Sequence, residues 1–262
     1  PDEIERRIGE MNPDTAYARL PGDGPAWLGV AGLRQLLVEA LGEAQFSDLR
    51  IPFAVTAVDL NSAEHVVLDE GSVVDALTAT IAVPGVFPPA VLDGRTLVDG
   101  AILDPVPVGL ARSLAPGLPV AAVVLSPGLE GWAELEKPRL LGSLPVLDRY
   151  LGRLRIAQAL DVLMRSMDIN TTLLVELLLA AEAPDVIIRP KLPHIGLLER
   201  IAVEKVSSLG EQAAQEALPE LLKATGWQSK LLRPLKPQPT WLMNIPYKTR
   251  RHVRQSAREL EP

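Results

Sequence analysis

The chain has 262 residues, of which 47% are hydrophobic and 23% charged, a composition that excludes general disorder and allows one large α/β domain or two small ones. The absence of cysteine excludes disulfides, thiolate nucleophiles and Cys-based metal sites, and the three histidines, His65, His194 and His252, are too scattered for a His-based metal site. Charge is uneven: residues 1–225 carry a net charge of −13 and residues 226–262 a net charge of +6, which suits two different surroundings.

Hydrophobic periodicity predicts alternating helices and strands along the chain. Apolar residues spaced by three and four predict helices over 27–45, 73–82, 106–114, 144–183 (with breaks near Gly152 and 168–170) and 199–224 (with interruptions at Gly210 and Pro219). Short runs rich in β-branched residues predict strands over 52–58, 65–68, 91–92, 96–98, 119–126 and 185–190. The Asp93-Gly94 pair between the third and fourth strands predicts a hairpin turn.

No segment has the pattern of a targeting or membrane-spanning sequence. The longest nearly apolar run, 172–181, is interrupted by Glu176 and is too short to cross a bilayer. The N-terminus lacks the basic-then-apolar layout of a signal peptide, so we expect a cytoplasmic protein. The chain begins with Pro1 and continues into a charged stretch, and we expect it to be a fragment or processed product whose start lies upstream.

The alternation of strands and helices indicates an α/β fold with a mostly parallel sheet, in which ligand sites lie at the carboxyl ends of the strands. Asp59 and Asp99 each follow a predicted strand, so both are candidates to face such a site. Asp99 is the stronger candidate. Gly100 behind it permits a positive φ and a close approach by a partner, and a carboxylate presented in this way can act as base for a neighbouring hydroxyl. The alternative is that Asp99-Gly100 is an ordinary turn.

Three segments, taken in order, carry a family resemblance. They are FAVTAVDL (53–60), ATIAVPGVFPP (79–89), and DGRTLVDGA (93–101) running into DPVPV (104–108). In this order and spacing they resemble the patatin-like phospholipase (PNPLA) family, in its bacterial, neuropathy-target-esterase-like branch. A looser similarity at 185–190 and 210–214 extends the resemblance over about residues 27–222. Thr80 stands where the family usually has serine.

The resemblance implies a three-layer α/β/α sandwich whose N-terminal part is missing, and hydrolysis of acyl esters of the phospholipid or lysophospholipid type by a Ser–Asp dyad. Asp99, Gly100 and Ala101 match the family's Asp-Gly-Ala/Gly motif, whose aspartate takes the serine proton without an intervening histidine. A carboxylate with an ordinary pKa of about 4 is a weak base, so we expect partial burial of Asp99. No metal or organic cofactor is implied.

The nucleophile that the resemblance requires does not occur in this chain. The family carries it in Gly-x-Ser-x-Gly, after a glycine-rich oxyanion loop and before the aspartate; the pairs Gly71-Ser72 and Gly142-Ser143 lack the second glycine at the right offset. We therefore expect the chain alone to be inactive. Either the nucleophile lies upstream in a serine hydrolase, or the protein is a non-catalytic patatin-like module that binds lipid or a protein partner.

The predicted organisation has three parts. They are a region with the Asp-Gly-Ala motif at 1–112, the remaining strands and helices of the same domain at 113–225, and a basic, Pro-rich tail at 226–262. The composition of the tail is consistent with three roles. The charges can be solvated, Trp241 and Tyr247 among basic residues can attach the tail to a membrane surface, or the basic residues can contact phosphates of a nucleic acid. Solvated charge is the first expectation and peripheral membrane contact the alternative, and no nucleic acid partner is expected.

Other polar residues are expected to have structural roles. Asp59 is expected to be a turn or cap residue, His65 an exposed strand residue and His194 a loop residue. Asp104 is expected in the loop that leaves the Asp-Gly-Ala turn, and Pro88-Pro89 is expected to rigidify the loop beside the site.

Overall fold

The computed structural model describes residues 2–21, 23–24, 26–126, 128, 155–192, 202–226 and 248–249. The helices are α1 (Asp2–Glu10), α2 (Pro13–Ala16), α3 (Ala31–Leu41), α4 (Val73–Thr80), α5 (Val108–Leu114), α6 (Arg155–Glu182) and α7 (Val203–Thr225). The strands are β1 (Val55–Asp59), β2 (Glu64–Leu68), β3 (Ala90–Leu92), β4 (Arg95–Asp99), β5 (Ala121–Val123), β6 (Val186–Ile188) and β7 (Lys248–Thr249). The chain divides into two compact units: the sheet unit, residues 12–107 with 239–262, and the helical unit, residues 1–11 with 108–238.

Among the described residues, the sheet unit contains five strands in the order β3-β4-β1-β2-β7. The pairs β1–β2, β1–β4 and β3–β4 are antiparallel, and β2–β7 is parallel. The α/β class is therefore confirmed, whereas a mostly parallel sheet is not, because short connections return the chain directly into the neighbouring strand. In the β1–β4 ladder Asp59 faces Leu97 and Asp99 faces Ala57, so the two aspartates lie at opposite ends of it. They do not share one carboxyl edge, as a parallel sheet would have required.

One face of this sheet packs against α4. The strand residues Ala57, Val66 and Leu97 form a buried cluster with Ala76 and Ala79 of α4. The helix begins where the Ser72 side chain accepts a hydrogen bond from the Asp75 backbone N–H at 3.2 Å, a standard N-cap. Small residues on the packed face let α4 lie close to the strands, which fixes the helix end relative to the sheet.

The opposite face is buried as well, and this corrects the prediction for His65. Val58, His65 and Val98 lie in register on this face, and His65 is only 3% exposed. The expectation of an exposed strand histidine is therefore wrong. The run Val66-Val67-Leu68 that follows His65 has no polar alternation, which is the pattern of a strand covered on both faces.

Burial of His65 predicts acid-sensitive folding. Because the imidazolium is desolvated, the pKa of His65 falls from its ordinary 6.5 to about 4 in the folded protein. Between these values the unfolded chain binds the proton more tightly, so the free energy of unfolding should fall as the pH drops from about 6.5 to about 4. We expect His65→Leu to reduce this dependence, measured by urea unfolding at several pH values. An unchanged pH profile in the variant would contradict the assignment.

The predicted hairpin is confirmed in β3 and β4. Leu92 pairs with Arg95 across a two-residue loop, and both loop residues have positive φ, 51° at Asp93 and 75° at Gly94. Positive φ at both positions matches the right-handed twist of paired strands, and Asp-Gly is a favoured sequence for it. The loop therefore sets the register of β4 and, with it, the level at which Asp99 ends the strand.

The helical unit contains the parallel pair β5–β6 and the two long helices. α6 runs unbroken from Arg155 to Glu182, so the break predicted at 168–170 is wrong. Met164 before the triplet and Val175 and Leu179 after it are buried, so α6 has an apolar face on both sides of 168–170. Burial of this face outweighs the weak helix propensity of the triplet. α7 likewise continues through Gly210 and Pro219. Gly152, His194 and nearly all of the tail lie outside the described residues.

Buried polar groups join α5 to the C-terminal end of α6 within this unit. Glu182 is 3% exposed, and its Oε2 accepts a hydrogen bond from the Gly109 backbone N–H at 2.6 Å. Arg112 donates to the Glu182 backbone carbonyl at 2.8 Å. The carboxylate thus satisfies an otherwise unpaired donor in the first turn of α5.

Of the helices in the described ranges, none has the length and apolarity that crossing a membrane requires.

Candidate active site

Asp99 is the last residue of β4 and leads directly into a single 3-10 turn, Gly100–Ile102. Its backbone N–H donates to the Ala82 carbonyl at 3.0 Å, and its side chain lies on the same face of the sheet as Ala57. The residue is half-buried. Asp99 is therefore held at the end of a core strand, a more rigid support than a loop provides.

The carboxylate has one oxygen engaged and one available. Oδ1 accepts a hydrogen bond from the Ala101 backbone N–H at 2.9 Å, which caps the 3-10 turn. Within the described residues Oδ2 accepts no hydrogen bond. Burial raises the pKa of Asp99 above its ordinary value, and the Ala101 hydrogen bond lowers it in part. A carboxylate with a raised pKa and a free oxygen is suited to accept a proton.

Gly100 is required by a close backbone approach and not by a positive φ. A Cβ at this position would lie 2.2 Å from Thr56 Oγ1 and 2.6 Å from the Thr56 carbonyl oxygen. Its φ is not among the positive values found in the chain, so that part of the prediction is wrong, whereas the close approach is confirmed. The strand β1 therefore packs directly against the peptide that follows Asp99.

Two contacts from the end of α4 surround this point. Thr80, the last residue of α4, donates from Oγ1 to the Thr56 carbonyl at 2.7 Å. Two residues later, the Ala82 carbonyl accepts the Asp99 N–H. Sequence reasoning missed Thr56 and Ala82 because both act through backbone carbonyls, and the strand register that aligns Thr56 with Gly100 cannot be predicted from local pattern.

The other predicted residues take structural positions. Asp59 accepts hydrogen bonds from the Asn61 backbone N–H at 3.1 Å and from Ser62 Oγ at 3.0 Å, so it is the expected turn residue. Asp104 lies in the expected segment, where its N–H donates to the Gly100 carbonyl at 3.0 Å, and its side chain is buried. Pro88 and Pro89 lie in the loop between α4 and β3. Within the described ranges, no three His, Asp or Glu side chains are grouped as a metal site would need.

Comparison with known proteins finds a family match for one region of the chain. Residues 2–112 match the family model described as patatin-like phospholipase. The predicted family is confirmed for this region. The patatin-like region begins in α1 and ends in α5, and it contains Thr56, Thr80 and the motif at 99–101. The looser similarity predicted at 185–190 and 210–214 lies beyond it and stays a prediction, as does the division at 112 and 225.

Similar curated proteins come from mycobacteria. An uncharacterized NTE family protein of Mycobacterium bovis and one of Mycobacterium tuberculosis are each 36% identical to this chain over 83 residues, which is 32% of this chain and 23% of the relative. Their family name agrees with the predicted neuropathy-target-esterase-like branch. The aligned part spans about a quarter of the length of these relatives.

Proposed function

We propose that this chain supplies the general base of a serine hydrolase that cleaves acyl esters of the phospholipid or lysophospholipid class. Asp99 is the base and Gly100 and Ala101 complete its motif. The observation that carries the proposal is the half-buried carboxylate of Asp99, with Oδ1 bound to the Ala101 N–H at 2.9 Å and Oδ2 available. The match of residues 2–112 to patatin-like phospholipase supports the lipid substrate class.

In the proposed reaction a serine hydroxyl from a Gly-x-Ser-x-Gly segment outside this chain attacks the ester carbonyl. Asp99 Oδ2 accepts the hydroxyl proton as the Oγ–carbon bond forms, and the proton then passes to the leaving alcohol. Water repeats the sequence on the acyl-enzyme and releases the fatty acid. Each backbone N–H of an oxyanion hole contributes about 3–4 kcal/mol to such a step, and these donors would also come from outside the chain.

The complete protein is proposed to be the three-layer α/β/α sandwich of its family, with the nucleophile and oxyanion loop in the part that precedes this chain. The basic tail is proposed to touch anionic lipid at the membrane surface, which would hold the enzyme at its substrate. A non-catalytic module that binds lipid or a protein is the second candidate, favoured by the lack of Gly-x-Ser-x-Gly between residues 1 and 262.

The coding sequence upstream of Pro1 and one labelling experiment separate the two candidates. We expect Gly-x-Ser-x-Gly within about the preceding hundred codons, consistent with the size of a single α/β domain. The protein extended through that motif should react with a fluorophosphonate probe and hydrolyse short-chain nitrophenyl esters, whereas residues 1–262 alone should do neither. An in-frame start codon directly before Pro1, or an extended protein that binds lipid without labelling, would contradict the hydrolase and support the module.

A further inference from the structure

Two contacts at and just after the C-terminal end of α4 act on the Asp99–Gly100 segment, one directly and one through β1. The first contact is direct: the Ala82 carbonyl accepts the Asp99 N–H at 3.0 Å. The second contact is that Thr80 Oγ1 donates to the Thr56 carbonyl at 2.7 Å, which joins residues 24 positions apart. Ala76 and Ala79 are buried and fix α4 against the sheet. The two contacts therefore hold the end of β4 in a fixed position relative to this helix.

The Thr56 carbonyl is the surface on which Gly100 lies. Its oxygen would be 2.6 Å, and its carbon 2.7 Å, from a Cβ at Gly100, so the two backbones are already at contact distance. Any rotation of the Thr56 peptide would therefore displace Gly100 or open a gap beside it. The Thr80 hydroxyl is the side-chain donor that holds this peptide in its orientation.

The hydroxyl of Thr80 does not make the hydrogen bond that a threonine usually makes within its own helix. A threonine inside a helix commonly donates to the carbonyl four residues earlier, as Thr78 does to Val74 at 2.8 Å. Thr80 instead reaches across to β1. Thr78 thus stabilises only its own helix, whereas Thr80 links the helix to β1, the strand that packs against Gly100.

We propose that Thr80 is a positioning residue for Asp99, acting through the carbonyl group of Thr56. Its hydroxyl keeps β1 against Gly100, and this contact keeps Asp99 at the half-buried end of β4. The role rests on the proposed function, because a fixed carboxylate matters for proton transfer only if Asp99 is the base. The contacts themselves can be tested without a nucleophile.

The test uses residues 1–262 and two readouts at Asp99: amide hydrogen exchange, and titration of its carboxyl group by 13C NMR. Thr80→Val removes the hydroxyl at nearly constant volume. We expect exchange at the Asp99 N–H to accelerate about five- to tenfold relative to Val66, the effect of losing one supporting hydrogen bond. The measured pKa of Asp99 should move down toward its ordinary value as water gains access. Thr80→Ser, which keeps the hydroxyl, should restore both.

Thr78→Val is the matched control. It removes a threonine hydroxyl two residues before Thr80, and the hydrogen bond of that hydroxyl lies within α4. It should leave both readouts at Asp99 unchanged. Equal effects of Thr78→Val and Thr80→Val, or no effect of Thr80→Val, would overturn the proposal. If Thr80→Val does not fold, the comparison of Thr80→Ala with Thr80→Ser decides in the same way. If residues 1–262 pass these tests but the protein extended through Gly-x-Ser-x-Gly hydrolyses no ester, the proposed function is refuted and the positioning contact remains established.

Discussion

Replacing Asp99 with asparagine is expected to lower kcat for ester hydrolysis by about 10²–10⁴-fold in the protein that contains both this chain and the upstream serine. Asparagine has the shape of aspartate and keeps an oxygen for the Ala101 N–H, which now lies 2.9 Å from Oδ1. It cannot accept the serine proton. The loss should therefore appear in kcat, with KM little changed, in steady-state hydrolysis of a short-chain nitrophenyl ester.

The same substitution should not destabilise the fold. Burial raises the pKa of Asp99, so the folded protein holds this proton more tightly than the unfolded chain does. Stability linked to this group is therefore lost as the pH rises through the raised pKa, and the ionised carboxylate opposes folding at neutral pH. Asparagine removes that cost. The urea midpoint of Asp99→Asn at pH 7 should equal or exceed that of the unsubstituted protein.

Asp93→Asn is the matched control for this prediction. It makes the same chemical change at the other end of β4, in the hairpin loop, where asparagine readily adopts the positive φ of 51°. Activity should remain at the level of the unsubstituted protein. Full turnover by Asp99→Asn, or an equal loss of activity in Asp93→Asn, would show that Asp99 is not the base.

Replacing Gly100 with alanine is expected to destabilise the sheet unit by about 3 kcal/mol or more. The added Cβ would lie 2.6 Å from the carbonyl oxygen and 2.7 Å from the carbonyl carbon of Thr56. These are backbone atoms of a core strand, so no rotation of a side chain can relieve the overlap. Urea unfolding followed by circular dichroism would measure the change, and Asp99 should lose its position at the same time.

Two comparisons isolate the cause of that loss. Gly210→Ala adds the same methyl group in the interior of α7, where nothing lies within 4 Å, and should stabilise the helix by about 0.5–1 kcal/mol. Thr56→Ala removes Oγ1, the atom nearest to the new Cβ, but leaves the backbone carbonyl in place. The double variant Gly100→Ala/Thr56→Ala should therefore stay destabilised. Full rescue would mean that only the hydroxyl, and not the backbone approach, requires glycine.

Local pattern was sufficient for β1, β2, α4 and the β3–β4 hairpin of the sheet unit, whereas α2 and β7 were not predicted. The β-branched runs, the apolar spacing over 73–82 and the Asp93-Gly94 pair each favour one local conformation, and β1, β2, α4 and the hairpin form where they are predicted. The predicted parallel direction of the strands was not confirmed. A continuous apolar sequence occurs in parallel and in antiparallel strands when both faces of the sheet are covered, so it does not determine the direction. The burial of His65 was missed for the same reason.

At the candidate site, the motif alone identified Asp99 and Gly100, but it could not explain why glycine is needed. That reason lies in Thr56, which is 44 positions earlier in the chain and meets Gly100 only through the strand register. The contact of Thr80 with β1 is equally non-local. Sequence reasoning on a single chain proposes the candidate base, whereas the contacts that hold this residue in place emerge only from tertiary packing.

The two-residue loop before β4 also restricts how this part of the chain can change length in evolution. Strand side chains alternate between faces, so one residue inserted or deleted between Gly94 and Asp99 would turn the carboxylate to the opposite side of the sheet. Two residues would restore its direction but move it along by a full repeat of about 7 Å. Length variation that homologous chains tolerate should therefore fall outside β4, for example ahead of the loop in β3, whose Val91 is 77% exposed.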